Sequence, residues 1–341
     1  MHSSANKQRG IAMVIAISIM LIGVITATTL LAKQQLSLRK GSNLIMRDQA
    51  TEYNVAAEKW AKIWLGKDDN QYDAVDDDWA TELPPLPVDG GVIIAQLYDL
   101  QGRININSFD PRDIATPARK PNINLPSPDP FEQQQAIYNE LALLQNINPK
   151  TAHIKDWIDA DDTPTASTGA ETNTYMGLER PYRAANKQAI TISEYRLLPE
   201  VTDEEYQLFR EPEQEYEDPR IALTALPGYT KINLNFAPLS LLTAIIGDPV
   251  AAEQLYEEIQ VTPFDNLDNI TTSLQSYNVK IDDEDGQDID FVTPEIFTVE
   301  SNYFLLVSKT FIGRTQSILY SVLYRDAQRN VRVINRSYGT I

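Results

Sequence analysis

The stretch that decides the architecture is Lys7-Gln8-Arg9-Gly10 followed by IAMVIAISIMLIGVITATTLLA at residues 11–32. The second part carries no charge over about 22 residues, and as an α-helix it is ~33 Å long, enough to cross the hydrocarbon core of a bilayer. A secretory signal peptide has a shorter apolar region that ends at a small-residue cleavage site, and no Ala-x-Ala ends this one. The sequence therefore predicts a membrane anchor.

The apolar residues that follow change from a continuous run to a helical period. Apolar side chains recur at three- and four-residue steps up to Trp64, with charged residues between them. This is the pattern of an amphipathic helix with one face packed against the protein. We expect one helix over about residues 11–65, embedded in the membrane in its first half. Gly41 is its one expected weak point, and Gly66 ends it before an acidic, proline-punctuated connector at residues 67–90.

The composition excludes several classes of function. The 341 residues carry a net charge of −19, which makes nucleic acid an unsuitable partner because no basic surface could neutralise its phosphates. Basic residues lie on both sides of the apolar segment, so charge bias does not set the orientation. Only a short leader precedes the apolar segment, whereas some 300 residues follow it, and this favours translocation of the C-terminal part across the membrane. The chain has no cysteine and two histidines, which excludes disulfides and thiolate metal sites and makes a histidine-based triad a poor reading.

The strand patterns lie at two distant places in the chain. Alternating apolar residues predict a strand over residues 92–98 and a second over 103–107, with turn residues between them. Four further segments, rich in Val, Ile, Tyr and Phe, predict strands at 297–299, 303–311, 316–325 and 331–337. Helical patterns predominate between the two groups, so the fold opens with a helix and closes with an antiparallel sheet.

The predicted helical region is bracketed by a short sequence echo. Arg103-Ile104-Asn105-Ile106-Asn107 returns as Lys231-Ile232-Asn233-Leu234-Asn235, and each copy leads into a Pro-containing start of a helical stretch. The echo is explained by chance or by a duplicated unit. Helices are predicted within the bracket at 131–145, 149–159, 193–198 and 202–209. Thr202 and Glu205 form a capping-box signature for the last of them.

The densest group of polar residues lies where a predicted helix passes into a loop. Asp159, Asp161 and Asp162 follow Asp156, and Glu171 comes after a Ser/Thr/Gly loop. Carboxylates gathered in this way repel one another unless a cation neutralises them, and Ca²⁺ accepts six to eight oxygens from irregular loops. The alternative is a solvated acidic helix end, although acidic residues there oppose the helix dipole. The spacing is not that of an EF-hand.

Two other kinds of site receive less support. A second acidic run at residues 282–290 fits a cation site or a solvated loop equally well. A membrane-anchored hydrolase would need one carboxylate with a raised pKa in an apolar pocket, and neither acidic run has the apolar neighbours for it. The sequence contains neither a Gly-rich phosphate loop nor a nucleophile elbow. It therefore gives no positive indication of an enzyme.

Read in order, the motifs resemble those of a known family. Gly10 directly before Ile11 is similar to the processing site of type IV prepilins and pseudopilins, in which a membrane-embedded prepilin peptidase cuts after the glycine. The set as a whole resembles the general secretion pathway protein K family of type II secretion minor pseudopilins. It comprises the residues at 7–13, 99–107, 156–161, 169–175, 181–186, 193–198 and 232–238.

The resemblance implies a position for the subunit. Most pilins and pseudopilins carry Glu at the fifth mature position, where it pairs with the N-terminal amine of the subunit ahead of it in the fibre. Here that position is Ile15. A subunit with none ahead of it has no such amine to meet, and an unpaired carboxylate in the bilayer is costly. The resemblance therefore implies a non-enzymatic tip or initiator subunit of the periplasmic pseudopilus, used in protein export across the outer membrane.

The resemblance also implies the surroundings of the chain. Its partners would be minor pseudopilins I and J in a tip complex, the major pseudopilin fibre, prepilin peptidase, the inner membrane, and the secretin or secreted substrates. It implies bound calcium, a role that we carry onto Asp159, Asp161, Asp162 and Glu171, with Asp156 or Asn173 able to replace one of them. The chain would be a single-pass inner-membrane protein with a periplasmic C-terminal domain and an N-methylated mature N-terminus.

The resemblance implies a pilin-like α+β fold with a large all-α insertion. The expected parts are a prepilin leader (1–10), a transmembrane segment (11–32), a pilin-like domain (33–107), the all-α insertion (108–230), and a final part (231–341) with a second helical segment and the closing strands. The rival hypothesis is a single-pass periplasmic calcium-binding or sensory protein that never assembles. It predicts a monomer and no cleavage after Gly10.

Overall fold

The computed structural model describes residues 4–68, 71–110, 130–208, 222–277, 281–282, 288–289 and 296–339. The described helices and strands are, in chain order, α1 (Ser4–Lys67), β1 (Leu86–Val88), β2 (Gly91–Asp99), β3 (Ile104–Asn105), α2 (Pro130–Leu144), α3 (Thr151–Ile158), α4 (Thr172–Met176), α5 (Asp203–Leu208), β4 (Leu223–Thr224), β5 (Ile232–Asn233), α6 (Leu239–Ile246), α7 (Pro249–Val261), α8 (Leu267–Ser276), β6 (Ile281–Asp282), β7 (Asp288–Ile289), β8 (Phe297–Thr298), β9 (Tyr303–Ile312), β10 (Thr315–Arg325) and β11 (Val331–Tyr338). Short 3₁₀ helices follow β3 and β5, and a third covers Ile192–Leu197.

Helix α1 is a single element of 64 residues. It continues through Gly41, because the ~1 kcal/mol that a glycine costs within a helix is small compared with the total stability of a helix of this length. The large apolar side chains from Met13 to Ile45 are exposed, and from Ala50 onward one face of the helix is buried. The predicted helix with an apolar first half and an amphipathic second half is therefore correct.

Five strands form one antiparallel sheet in the order β1-β2-β9-β10-β11. The second half of α1 covers one face of it, and side chains from the helix, the connector and the sheet form one core: Ala57, Ala61, Leu65, Trp79, Ile93, Ala95, Leu97, Phe304, Leu306 and Leu323. The α+β fold class is thus confirmed, with the long helix packed on an antiparallel sheet.

Two buried polar residues of α1 fix how the helix sits on the sheet. Asn54 Oδ1 accepts hydrogen bonds from the hydroxyls of Ser308 (2.8 Å) and Thr310 (2.7 Å). One turn later, the Glu58 carboxylate accepts two bonds from the Arg336 guanidinium, at 2.6 and 2.7 Å. A shift of the helix would leave these buried groups without partners, which is costly.

The helices that follow the first strands share a second core. Its buried side chains come from α2, α3 and α4 and also from α6, α7 and α8. The described helices before and after residue 230 therefore bury their apolar faces together. The division of the chain at residues 108, 230 and 231 stays a prediction.

The segment predicted as a strand at 103–107 differs from the expectation, and its echo at 231–235 behaves in the same way. Each contributes a strand of only two residues, and neither joins the main sheet: β3 pairs in parallel with β4, and β5 with β8. The reason lies in the asparagines. Asn105 Oδ1 accepts from the Asn107 backbone N–H, and Asn233 Oδ1 accepts from that of Asn235, both at 3.1 Å. This contact directs the backbone of each segment from the short strand into a 3₁₀ helix.

Candidate metal centre

Three carboxylates meet between the end of α3 and the start of α4. Helix α3 buries Ile154, Trp157 and Ile158, which places Asp156 and Asp159 at its C-terminal end. The chain then runs through an exposed loop and returns at Glu171, the N-cap residue of α4. Glu171 is held there by its carbonyl, which accepts the backbone N–H of Thr174 at 2.8 Å.

The three side chains are buried and close together. Asp156, Asp159 and Glu171 each offer one carboxylate oxygen such that these atoms lie within 4.8 Å of one another. Asp156 Oδ1 accepts from the Thr165 backbone N–H (2.8 Å), whereas its Oδ2 accepts no hydrogen bond. Both oxygens of Glu171, which is only 4 % exposed, also lack a hydrogen-bond donor. Buried oxygens of this kind need a proton or a cation as a partner.

The electrostatics of Glu171 lead to the same conclusion. Burial, and after it the charges of Asp156, Asp159, Asp162 and Asp161 in that order, together raise the pKa of the Glu171 carboxyl to about 7. The charged form of Glu171 is thus opposed by its surroundings near neutral pH. A set of carboxylate oxygens at the junction of a helix and a loop suits a hard cation such as Ca²⁺, so the residues present fit that ion.

Asp161 and Asp162 lie at the exposed rim of the cluster. Asp161 Oδ1 accepts from the Thr163 N–H at 2.9 Å. Hydrogen bonds from Thr172 hold the pKa of Asp162 below its usual value. The amide of Asn186 ties the rim to the rest of the domain by donating to the Asp161 carbonyl at 2.7 Å. Of the four predicted ligands, the structure places Asp159 and Glu171 in the buried group and the other two beside it.

The buried group contains one residue that the sequence ranked only as a substitute. Asp156 lies three residues before Asp159, a spacing that puts two side chains on the same face of a helix. That spacing was the signal available in the sequence. The other proposed substitute, Asn173, is exposed on α4.

Aromatic side chains close the inner side of the group. Tyr175 is fully buried, and its ring centroid lies 5.2 Å from that of Trp157 and 5.4 Å from that of Tyr182. The Tyr175 hydroxyl has no hydrogen-bond partner, and burial raises its pKa above the usual value. Gly169 lies against the outer side, where an added Cβ would overlap Asp156 Oδ2. The sequence analysis missed Tyr175, because its burial depends on this packing.

A second group of carboxylates already has a cation of its own. Asp68, Asp73 and Asp77 lie close together at the end of α1 and in the connector. The buried Arg325 guanidinium contacts Asp73 at 2.5 and 2.6 Å and Asp68 at 2.6 Å. Asp68 and Asp73 therefore form an internal ion-pair network with Arg325, whereas Asp77 accepts from the Trp79 indole N–H. Most of the acidic run at 282–290 lies outside the described residues.

The N-terminal motif lies within α1. The Gly10–Ile11 bond is part of the helical backbone, and Ile15 is 54 % exposed. Among the described residues, α1 is the one helix long and apolar enough to cross a membrane, and its apolar window is unburied. The helix therefore fits a single-pass anchor.

Comparison with known proteins gives a consistent result. The family model for type II secretion system (T2SS), protein K matches residues 102–211. The type II secretion system protein K of Pseudomonas aeruginosa is 27 % identical over 97 % of this chain and 93 % of its own length. That of Aeromonas hydrophila is 25 % identical over 98 % of both chains.

A solved structure shares the fold. A chain in the crystal structure of the GspK-GspI-GspJ complex from the enterotoxigenic Escherichia coli type 2 secretion system matches with a TM-score of 0.60 at 18 % identity. The match covers 86 % of this chain and 97 % of that one. The family match, the end-to-end relatives and the shared fold agree with the motifs at residues 7–13 and 156–175. The chain is similar over nearly its whole length to type II secretion system protein K, and its residues 102–211 match the model of that family.

Proposed function

We propose that this chain is a non-enzymatic subunit that begins or caps the periplasmic pseudopilus of a type II secretion system. The observation that carries the proposal is α1, whose exposed apolar half continues without a break into a half packed on the sheet. The apolar half suits storage in the inner membrane and later packing in a fibre. The sheet and the helices would then stand in the periplasm, near the secretin or the exported substrates.

The tip position is supported by residue 15. Ile15 is apolar and exposed at the position that would be the fifth of the mature chain. A carboxylate there would be costly in the bilayer for a subunit with none ahead of it to provide a partner. The tip subunit would be joined by minor pseudopilins I and J, the partners of GspK in the related complex, and the major pseudopilin would follow below.

The mature N-terminus tests this proposal. Mass spectrometry would be performed on the protein from membranes with and without prepilin peptidase. We expect a peptidase-dependent chain that begins at Ile11 and carries an N-methyl group. An intact Met1, or cleavage near Ala32, contradicts the proposal. It would favour the rival, a single-pass periplasmic calcium-binding or sensory protein that stays monomeric.

We further propose that the subunit binds Ca²⁺ between α3 and α4. Asp156, Asp159 and Glu171 would provide the buried oxygens, with Asp161 and Asp162 at the rim. The bound ion would supply positive charge that neutralises the cluster. The chain's own contribution is to hold the end of α3 and the start of α4 together and to keep water from the inner side with Trp157 and Tyr175.

Calorimetric titration of the metal-free protein tests this site. Ca²⁺ should bind with an affinity that falls at least tenfold in Glu171→Gln, while Mg²⁺, which demands a smaller octahedral shell, binds more weakly. The matched control is Glu204→Gln, which changes an exposed carboxylate on α5. Equal binding by both variants and the wild type would exclude this site.

A further inference from the structure

An open cleft of about 350 Å³ lies between the C-terminal end of α7 and one face of α8. A volume of this size is typical of sites for small molecules. The connection between the two helices contributes Pro263 and the buried Phe264, and both helices contribute polar side chains. Among the described residues that line the cleft, none belongs to α1 or to the carboxylate group between α3 and α4. The cleft is therefore separate from the features discussed above.

Hydrogen bonds hold the walls of the cleft in place. The buried Asn235 accepts from the Phe264 N–H at 2.8 Å through its Oδ1, and its Nδ2 donates to the Phe264 carbonyl at 2.9 Å. Asn266 caps α8 by accepting the Asn269 N–H at 2.9 Å. A site that is formed before its ligand arrives loses little conformational entropy on binding, which favours affinity.

The polar side chains of the cleft include donors and acceptors that are available to a ligand. Within the described ranges of the chain, the hydroxyls of Thr262, Ser273 and Tyr277 have no hydrogen-bond partner. The Asn269 side chain donates its amide N–H to Asp265 Oδ1 at 2.6 Å, which leaves its carbonyl oxygen as an acceptor. Because a hydroxyl both donates and accepts, this set of groups matches a ligand that also does both.

The charge of this part of the chain excludes an anionic ligand. Residues 232–279, which include α6, α7 and α8, contain no Lys, Arg or His. A phosphate or carboxylate ligand would therefore find no cation in this segment, and Glu258 at the wall of the cleft would repel it. A single carboxylate among neutral hydroxyls is instead suited to accept strong hydrogen bonds from the hydroxyls of a ligand.

We infer that the cleft between α7 and α8 binds a neutral carbohydrate. A sugar carries several hydroxyls and no charge, and the less polar face of its ring is suited to contact the ring of Tyr277. A site for an apolar ligand is lined predominantly by apolar side chains, whereas the lining of this cleft is mostly polar. The inference goes beyond the proposed function and does not depend on assembly, because the cleft is formed by this chain alone.

A titration of the full-length chain followed by ligand-detected NMR tests the inference. The probes are diacetylchitobiose and maltose, two neutral disaccharides, and the detergent must have no sugar headgroup, because such a headgroup would compete. We expect at least one disaccharide to bind. Its dissociation constant should weaken at least tenfold in Glu258→Ala, which removes a charged acceptor, and about fivefold in Ser273→Ala, which removes one neutral hydroxyl.

The matched controls are Glu257→Ala and Thr271→Ala, which remove a carboxylate from α7 and a hydroxyl from α8 at positions that do not line the cleft. Both should bind like wild type. Wild-type protein that binds neither disaccharide overturns the inference, as does binding that Glu258→Ala and Ser273→Ala leave unchanged. Binding of inorganic phosphate or spermidine in place of the disaccharides would also contradict it, because charge would then select the ligand. None of these outcomes affects the mature N-terminus, by which the proposed function is tested separately.

Discussion

Asn105 and Asn233 hold equivalent positions in two copies of one buried motif. In the first copy, Asn105 Nδ2 donates to the carbonyls of Leu226 (3.2 Å) and Gly228 (2.8 Å). In the second, Asn233 Nδ2 donates to the Asp73 carbonyl at 3.2 Å and to the Ser301 hydroxyl at 2.9 Å. Each asparagine ends a two-residue parallel strand and begins a 3₁₀ helix.

The second asparagine of each copy continues the correspondence. Asn107 Oδ1 accepts from the Ala189 N–H, and Asn235 Oδ1 accepts from the Phe264 N–H, both at 2.8 Å. In each copy, the next two helices that the structure describes are separated by a left-handed residue: Asn146 (φ 56°) in the first and Gly247 (φ 78°) in the second. The sequence echo thus marks a repeated structural unit.

We predict that Asn105→Asp destabilises the fold strongly. The substitution keeps the shape but replaces two buried N–H donors with a charged acceptor facing carbonyl oxygens. The expected loss is about 2–4 kcal/mol in the free energy of unfolding. Urea unfolding at neutral pH measures it. Asn233→Asp should behave alike, whereas Gln275→Glu, the same chemical change at an exposed position, should stay close to wild type.

The echo also shows where prediction from sequence failed. Alternation of Ile and Asn over residues 103–107 is typical of a strand with its polar side chains in solvent. Both asparagines of that segment are buried, as are those of the second copy. The asparagines therefore serve to hydrogen-bond distant backbone carbonyls inside the protein. Alternation with a period of two residues does not distinguish this role from that of a solvent-exposed strand face.

The strands of the main sheet were predictable because their local residue preferences agree with the packing that they adopt. Strands β9, β10 and β11 are rich in β-branched and aromatic residues and lie between polar turns, and their bounds are within one or two residues of the predicted segments. Helix α1 was predictable from its length and period. In these elements, local preference and tertiary packing agree.

The location of the carboxylate group was predictable, and the identity of its buried members was less so. The acidic residues around 156–171 indicated the place. The sequence ranked Asp161 and Asp162 above Asp156 because of their place in the loop. The structure buries Asp156 because Trp157 and Ile158 turn that end of α3 toward the core. Which of these acidic residues is buried depends on packing between distant parts of the chain, and the local sequence does not show it.

We predict that Asp99→Asn removes one component of the pH dependence of stability. Burial raises the pKa of Asp99 to about 6, while its Oδ1 accepts the Gly102 N–H. The folded state therefore holds this proton more tightly than the unfolded state, so the wild type loses stability as pH rises from about 4 to about 6.

The variant cannot titrate at this position but retains the oxygen that accepts from Gly102. Relative to wild type, the Asp99→Asn protein should gain up to about 3 kcal/mol between pH 4 and pH 7. Urea unfolding of both proteins at the two pH values measures this difference. If the difference in unfolding free energy between variant and wild type is the same at both pH values, the pKa of Asp99 is the same in the folded and unfolded states, and the prediction is wrong.

We predict that calcium affinity depends on pH through Glu171. A carboxyl with a pKa of about 7 must lose its proton before it can bind a cation. The dissociation constant should therefore be about tenfold weaker at pH 6 than at pH 8. Calorimetry at the two values, in buffers with different ionisation enthalpies, should also detect the proton released. An affinity constant across this range would contradict the assignment of Glu171.

We predict that Gly169→Ala impairs the metal centre while the matched Gly177→Ala does not. A Cβ at position 169 would overlap Asp156 Oδ2, so the carboxylate must move from the group that it forms with Asp159 and Glu171. A Cβ at position 177 meets the Thr174 carbonyl oxygen at 3.4 Å, an ordinary contact. Both glycines lie outside the left-handed region of φ, so neither substitution forces the backbone into a strained conformation.

The comparison therefore tests the position of the Asp156 carboxylate, and the Cβ at position 169 also meets the Ala166 carbonyl oxygen at 3.0 Å. Gly169→Ala should weaken Ca²⁺ binding at least tenfold, whereas Gly177→Ala should bind like wild type. Trp157 lies beside the cluster, so its fluorescence provides a second readout of the same titration. If both variants bind Ca²⁺ equally well, Asp156 does not contribute a ligand, and the ion would be held by Asp159, Glu171 and the rim residues Asp161 and Asp162.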